Sequence, residues 1–449
     1  MPAMTTRTRD FATAAGFGIL AFIFRIWHLG TPKGFIFDEV YYAKNARSLL
    51  LHGVEIDPKT HGAEFIVHPP VGKWIIALGI KAFGYNEFGW RISSAIVGTI
   101  AIVIFFFVVR KLFNNYFLSV AGTVLISVDG LQLVHSRVAL LDLYLMFFLL
   151  LGFLFLIYSR HWLAGISFGL AAACKWSGLY SIAAYLLFVL YVDYRTNRAM
   201  ERDKAFLITL KEKLLLRGTQ YIIVPIMTYT LSWTGWFLTK TGYDRTWADG
   251  RKSTFSFIPA PFRSWWHYHS EILNFHATLT TKHAYSANPW SWLIMGRPTS
   301  MFYASPKSCG APTCSSEVLA LGTPLLWWAG VFGILALFGY WITRREWQSG
   351  LILLSITAAY LPWFLFQKRT MFTFYAIAFE PFVILALVYC LRMFVDEKLP
   401  ENLQWRRKIM ASGFIFLIAL NFLWFLPLFN GAVISYHSWY NMMWFPSWI

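Results

Sequence analysis

Two adjacent carboxylates, Asp38 and Glu39, sit in the sequence FDEVYYAKNA, and downstream the sequence VHPPVGKW gathers a histidine, two prolines and a lysine. Neighbouring side chains diverge by about 100° on a helix and point to opposite faces of a strand. Such a pair therefore does not suit glycoside hydrolysis, which needs two separated carboxyl groups flanking the bond. It does suit one catalytic carboxylate with one positioning carboxylate. A single base is enough where the donor already carries a good leaving group, because it only has to accept the proton of an attacking hydroxyl. A phosphate-linked sugar is such a donor. Taken alone, the pair also fits a solvated helix start, where acidic side chains meet unpaired backbone N–H groups. In VHPPVGKW, His68, Pro69 and Pro70 interrupt the chain before an apolar segment and Lys73 follows within a turn, which fixes the start of a short surface helix.

Further ionisable residues lie where apolar segments ordinarily exclude them: Arg25, Arg137, Asp142 and Lys175. Exposing such groups to hydrocarbon costs several kcal/mol, so they face a protein interior or a watery cavity. Snorkelling or internal ion pairs would serve equally for any one of them. Their shared outer level points to a phosphate pocket. Arg137 offers forked donors for phosphate oxygens and Lys175 a mobile point charge, with Lys368 and Arg369 completing the rim.

The elements that position these groups follow from composition. Of 449 residues 57% are hydrophobic and 14% charged, with a mean hydropathy of +0.51, which excludes a soluble globule and indicates an all-α polytopic bundle. Apolar runs of bilayer length place eleven spans, at 11–29, 90–109, 116–134, 138–158, 162–176, 178–192, 219–238, 321–343, 351–366, 371–391 and 409–429. The fifth and sixth form a tight, glycine-containing pair. No separable soluble domain interrupts residues 1–449. Lys and Arg concentrate in 194–217 and 392–408, so these loops are expected in the cytoplasm, with Arg7, Arg9, Arg110, Lys111, Arg344 and Arg345 on the same side. The N-terminus is then inside, the C-terminus outside, and the loops 30–89 and 240–320 face outward. The first apolar segment lacks a small-residue cleavage site and reads as a retained span.

The formal charge of +17 is scattered over membrane loops and does not line one soluble face, which argues against nucleic acid as a partner. Much of it is topological and attracts anionic lipid headgroups. Cys309 and Cys314 share the long outer loop and are spaced to close a small disulfide ring, with two loop thiols as the alternative. His267, His269, His276 and His283 show no evident cysteine or carboxylate partner set, so no metal site is expected there. Trp265, Trp266, Trp290 and Trp292, like Trp444 and Trp448 in the tail, fit either interfacial anchors or a cover over the site.

Taken together, FDEVYYAKNA, VHPPVGKW, SRVALLDLYLMFF and AAACKWSGLY, in that order within the first 180 residues, resemble the protein O-mannosyltransferase family, a branch of the GT-C membrane glycosyltransferases. The resemblance implies a GT-C bundle that uses a polyprenyl-phosphate-mannose donor to mannosylate Ser or Thr hydroxyls of translocated polypeptides. It implies Asp38 as general base, Glu39 orienting the acceptor or the base, and inversion at the anomeric carbon. His68 and Lys73 would shape the donor side, Arg25, Arg137, Lys175 and Arg369 would serve the lipid phosphate, and Pro69, Pro70 and Asp142 would position them. The scheme requires no cofactor and no metal; membrane lipids and the protein-translocation machinery are the expected partners. The 240–320 segment is too short for the MIR module of the eukaryotic members and resembles the shorter actinobacterial form. Two other readings stand beside it: a GT-C transferase acting on another lipid-linked sugar or a lipid or polysaccharide acceptor, and a lipid-linked substrate transporter or flippase. Peptide-dependent sugar transfer separates the first, and loss of activity without a proton acceptor separates the second.

Overall fold

A computed structural model describes residues 5–200, 204–396 and 398–449. Its helices are α1 (Thr6–Ile26), α2 (Glu39–His52), α3 (Val71–Phe83), α4 (Glu87–Phe113), α5 (Tyr116–Ser127), α6 (Gly130–His135), α7 (Leu141–Ile157), α8 (His161–Ala172), α9 (Gly178–Ala199), α10 (Ala205–Gly218), α11 (Val224–Ser232), α12 (Thr234–Leu238) and α13 (Ala260–Thr278), then α14 (Pro324–Arg344), α15 (Trp347–Tyr360), α16 (Glu380–Val395), α17 (Glu401–Asn430) and α18 (Tyr436–Met442). Strands β1 (Thr299–Ala304), β2 (Cys314–Ala320) and β3 (Val433–Ser435) make one antiparallel sheet in the order β1-β2-β3.

Helix occupies part of each of the eleven expected segments. Among the described residues, four helical stretches, Glu87–Phe113, Pro324–Arg344, Trp347–Phe366 and Glu401–Asn430, are long and apolar enough by length and composition to cross a membrane, and three shorter apolar helices join them. Helix length alone therefore does not fix the number at eleven. The third expected segment is broken: buried Asp129 ends the run and caps α6, accepting from Gln132 N at 3.3 Å, while it also accepts from Thr323 N at 2.8 Å and Trp327 Nε1 at 3.0 Å. A carboxylate held by that many donors stops an apolar helix where hydropathy alone continues it. The seventh segment starts earlier than expected, since α10 runs through a π turn at Thr219–Ile223 straight into α11.

α4 is the central post, touching α1, α3, α5, α7 and α16. Its most apolar window is 78% buried, against 28% for that of α14 and 33% for that of α17. The outer helices turn large apolar side chains such as Phe332, Leu335 and Phe416 outward, as a bilayer-facing surface requires. α3 packs against α7 over Gly72; a Cβ there would meet Leu141 Cδ2 at 2.7 Å. The sheet, unexpected in an all-α reading, joins two strands of the 240–320 segment to β3 of the C-terminal segment, and a Cys309–Cys314 disulfide closes the β1–β2 connection. Two aromatics expected at the interface or over the site lie in the core instead. Trp292 and Trp448 are buried and donate through Nε1 to Ala287 O and Met295 O, whereas Trp266 and Trp290 are exposed.

Candidate active site

The two acidic neighbours have opposite environments. Glu39 opens α2 with no exposed surface. Its Oε1 accepts from Arg91 Nε at 2.8 Å and Ala139 N at 3.0 Å; its Oε2 accepts from Arg91 Nη2 at 2.8 Å, Ile36 N at 2.9 Å and Trp90 Nε1 at 3.2 Å. Arg91 is buried too, and its remaining donors reach Leu29 O, Pro32 O and Gly34 O, so the connection from α1 to α2 wraps around one ion pair. Five donors leave Glu39 no lone pair for an acceptor hydroxyl, so of its two expected roles, orienting the acceptor or orienting the base, the second fits its surroundings.

Asp38 occupies the N-cap of α2 without a capping bond, and among the described residues its carboxylate accepts no hydrogen bond. It is half-buried. Burial pushes its carboxyl up to about 6, with Lys175 pulling it down and Asp142 pushing it further up. The result is a carboxylate with open lone pairs whose proton affinity lies near neutrality.

Around it the bundle gathers Lys175, Asp142, Tyr42, Tyr375, His68, His276 and Arg369. Lys175 Nζ lies 2.9 and 3.0 Å from the two Asp142 oxygens and 4.6 Å from the Tyr375 ring centre. The turn that carries His68, Pro69 and Pro70 is tied to the Lys175 segment, since Val71 N donates to Ala173 O at 3.1 Å, and Pro70 caps α3. The His68 ring sits 5.3 Å from that of His276 and 6.2 Å from that of Tyr42. Burial, then Lys175, His276, Lys73 and Arg369, hold His68 well below the usual imidazole range, so it is neutral. His276 comes from α13. It accepts from Arg369 Nη2 at Nδ1 (3.2 Å) and donates through Nε2 to Val67 O (2.9 Å), the tautomer that its neighbours require. Burial and then Arg369 push it down to about 4. Arg369 Nε is buried without a partner, a donor available to an anion.

Three cations expected to serve the donor or its phosphate are engaged elsewhere. Arg137 donates to Arg25 O at 2.7 Å, Trp27 O at 2.8 Å and His28 O at 3.2 Å, capping the carbonyl end of α1, and with Phe24, Trp27 and Leu426 it lines a separate cavity of about 300 Å³. Arg25 donates to Ala21 O and Gln132 Oε1. Lys73 pairs with Glu55 beneath the His68 carbonyl. Lys368 is exposed. Lys175 acts on Asp38 directly, and Arg369 stands beside His276 in the same cluster. The histidine expectation is corrected as well, because His267 has carboxylate partners in Asp244 and Glu271.

Sequence reasoning missed Arg91, Trp90, Tyr42, Tyr375, Glu55 and the site role of His276. Arg91 alone left a legible signal, as a lone cation one residue inside an apolar span. The assembled site offers an unsatisfied carboxylate base, two cations for a leaving anion and neutral imidazoles as hydrogen-bonding groups, a set suited to transfer from a phosphate-linked donor to a hydroxyl.

Residues 16–234 match the family described as dolichyl-phosphate-mannose-protein mannosyltransferase, and residues 261–448 match the C-terminal four TMM region of protein-O-mannosyltransferase. The chain is 32% identical to polyprenol-phosphate-mannose--protein mannosyltransferase of Mycobacterium tuberculosis, covering 98% of this chain and 92% of that one. It is equally 32% identical to the protein of the same description from Corynebacterium glutamicum, over 93% and 88%. In three dimensions it superposes on the Pmt1-Pmt2 protein O-mannosyltransferase complex of S. cerevisiae bound to the sugar donor with a TM-score of 0.80 at 14% identity, covering 100% of this chain and 93% of that one, a likeness of fold.

Proposed function

This chain belongs to the protein O-mannosyltransferase family, and from that premise we propose that it transfers mannose from polyprenyl-phosphate-mannose to Ser or Thr hydroxyls of secreted polypeptides with Asp38 as general base. The observation that carries the assignment of the base is the contrast within the acidic pair: Glu39 is saturated by five donors, while Asp38 accepts none.

As the acceptor oxygen attacks the anomeric carbon, Asp38 takes its proton. The new C–O bond forms as the bond from that carbon to the phosphate oxygen breaks, and polyprenyl phosphate leaves with its electron pair. Displacement from the face opposite the phosphate inverts a β-linked donor to an α-mannosyl product. Lys175 and Arg369 oppose the charge that grows on the departing phosphate. Asp142 aims Lys175 through both of its carboxylate oxygens. Neutral His68 and His276 hydrogen-bond without adding charge. Arg25, Arg137 and Lys73 act from behind, by holding α1 and the His68 turn. The site faces outward with the N-terminus in the cytoplasm, so a polypeptide delivered by the translocation machinery meets it while still extended.

Purified wild type and a folded Asp38→Asn variant, each given polyprenyl-phosphate-mannose and a Ser/Thr-rich peptide, test this by peptide mass and site mapping. Hexose on the peptide from wild type alone is expected. Donor consumption with the sugar on another acceptor overturns the protein acceptor, and unchanged donor moved across vesicles indicates a flippase.

A further inference from the structure

We infer that Asp244, His267 and Glu271 form a site for a divalent transition-metal ion of the zinc class on the long outer loop, apart from the residues assigned to transfer. His267 and Glu271 stand one turn apart on α13, and Asp244 reaches them from the turn after α12. One ligand atom from each lies within 4.8 Å of the others. His267 Nε2 is 3.4 Å from Asp244 Oδ2 and 3.4 Å from Glu271 Oε1.

Those two equal distances fit a metal site. A protonated imidazole closing on a carboxylate brings nitrogen and oxygen to roughly 2.7–2.9 Å. Two ligands bound tetrahedrally at about 2.0–2.1 Å stand about 3.3–3.4 Å apart. The observed spacing matches that of ligands around a common centre and is the same toward both carboxylates.

A second observation points the same way. Glu271 Oε2 is buried without a hydrogen-bond partner, a costly state for a carboxylate oxygen that a bound dication offsets by drawing on the whole carboxylate. Two carboxylates and a neutral imidazole balance the ion's charge, and borderline nitrogen with oxygen ligands suits Zn²⁺ better than Mg²⁺ or Ca²⁺, which take oxygen alone. Three protein ligands leave the fourth position to water. The imidazole is held in place by Trp247, stacked on it at 3.9 Å between centres and 12° between planes. Side-chain exposures of 27% for His267, 31% for Asp244 and 37% for Glu271 give the ion a path in. Bound there, it pins the turn after α12 to α13, whose next turns deliver His276 to the candidate active site.

The test uses the full-length protein purified through a tag without histidines, stripped with chelator, dialysed against Zn²⁺ and assayed for metal by mass spectrometry. Wild type is expected to retain one Zn²⁺ beyond the content of Glu271→Gln and His267→Gln, each binding at least about 100-fold more weakly. Co²⁺ in place of Zn²⁺ is expected to give the visible absorption of a tetrahedral centre in wild type only. Wild type without bound Zn²⁺, or the same content in folded variants, overturns the site. Should either variant elute as an aggregate, Asp244→Asn, in a surface turn, reads the same loss. Because metal content is read without transfer, its outcome is independent of the mannosyltransferase assignment.

Discussion

Replacing Asp38 by Asn keeps the shape of the side chain and removes its capacity to take a proton. The carboxylate is unsatisfied in the structure, so no hydrogen-bond network collapses with it, and what is lost is proton transfer. Positioned general bases contribute about 10²–10⁴-fold, equivalent to about 3–5 kcal/mol of transition-state stabilisation. Turnover of Asp38→Asn is therefore expected to fall at least about 100-fold at saturating donor. The wild-type pH profile carries a second signature. Burial pushes the Asp38 carboxyl up to about 6, and the base acts only when ionised. About ten parts in eleven are ionised at pH 7 and about one in eleven at pH 5, so kcat/KM should rise about tenfold between them and level off above.

The same displacement has a cost in stability. A carboxyl raised in the folded state binds its proton more tightly there than in the unfolded chain. Stability therefore falls as pH rises from the ordinary value of 3.8 through about 6. The full cost above that range is at most roughly 3 kcal/mol, lowered by solvent screening at a half-buried group. Asp38→Asn should thus melt higher than wild type in detergent at pH 7, with the advantage shrinking toward pH 4. Turnover above about one-tenth of wild type in a folded variant, or a flat wild-type profile between pH 5 and 7, would refute the base assignment.

Glu39→Gln breaks a fully buried pair and strands Arg91, so a loss of about 3–5 kcal/mol is expected, read as a lower melting temperature, and an unchanged melt would contradict the positioning role. Lys175→Gln removes the cation that lowers the Asp38 carboxyl, so the midpoint of the pH profile should move above about 6 while donor KM rises; a fixed midpoint would separate the two residues. Cys309→Ser opens the disulfide loop and should cost about 2 kcal/mol by loop closure, checked by thermal melting and by the loss of the linked peptide in a non-reduced mass map.

Hydropathy located helix at every expected apolar segment because burial in lipid or protein demands apolar residues either way. For the same reason it could not tell a spanning helix from a buried one, and it ran through Asp129, whose partners Thr323 and Trp327 lie almost 200 residues on. Asp38 and Glu39 stand in separate environments because the directions of adjacent side chains follow from local geometry. Which of them was free depended on Arg91 and Ala139, brought in by tertiary folding. Arg137 differed for a comparable reason: its place at the end of an apolar segment was legible, but the carbonyl end of α1 that consumes its donors was not. The i, i+4 spacing of His267 and Glu271 already put them on one helix face, whereas Asp244 joined them only through the fold.

The convergence on Glu39 bears on how substrates are chosen. One buried carboxylate gathers N–H groups from the approach to α2, from α4 and from the residues before α7, so the neighbouring base stands at a depth set by the scaffold. A stationary reaction centre asks mobility of its substrates: the lipid must slide to it and the polypeptide must bend a hydroxyl into it. With Asp38 as the proposed base, selection among acceptors is then expected to fall to local chain flexibility, a serine in a flexible segment being modified ahead of the same serine in a finished fold.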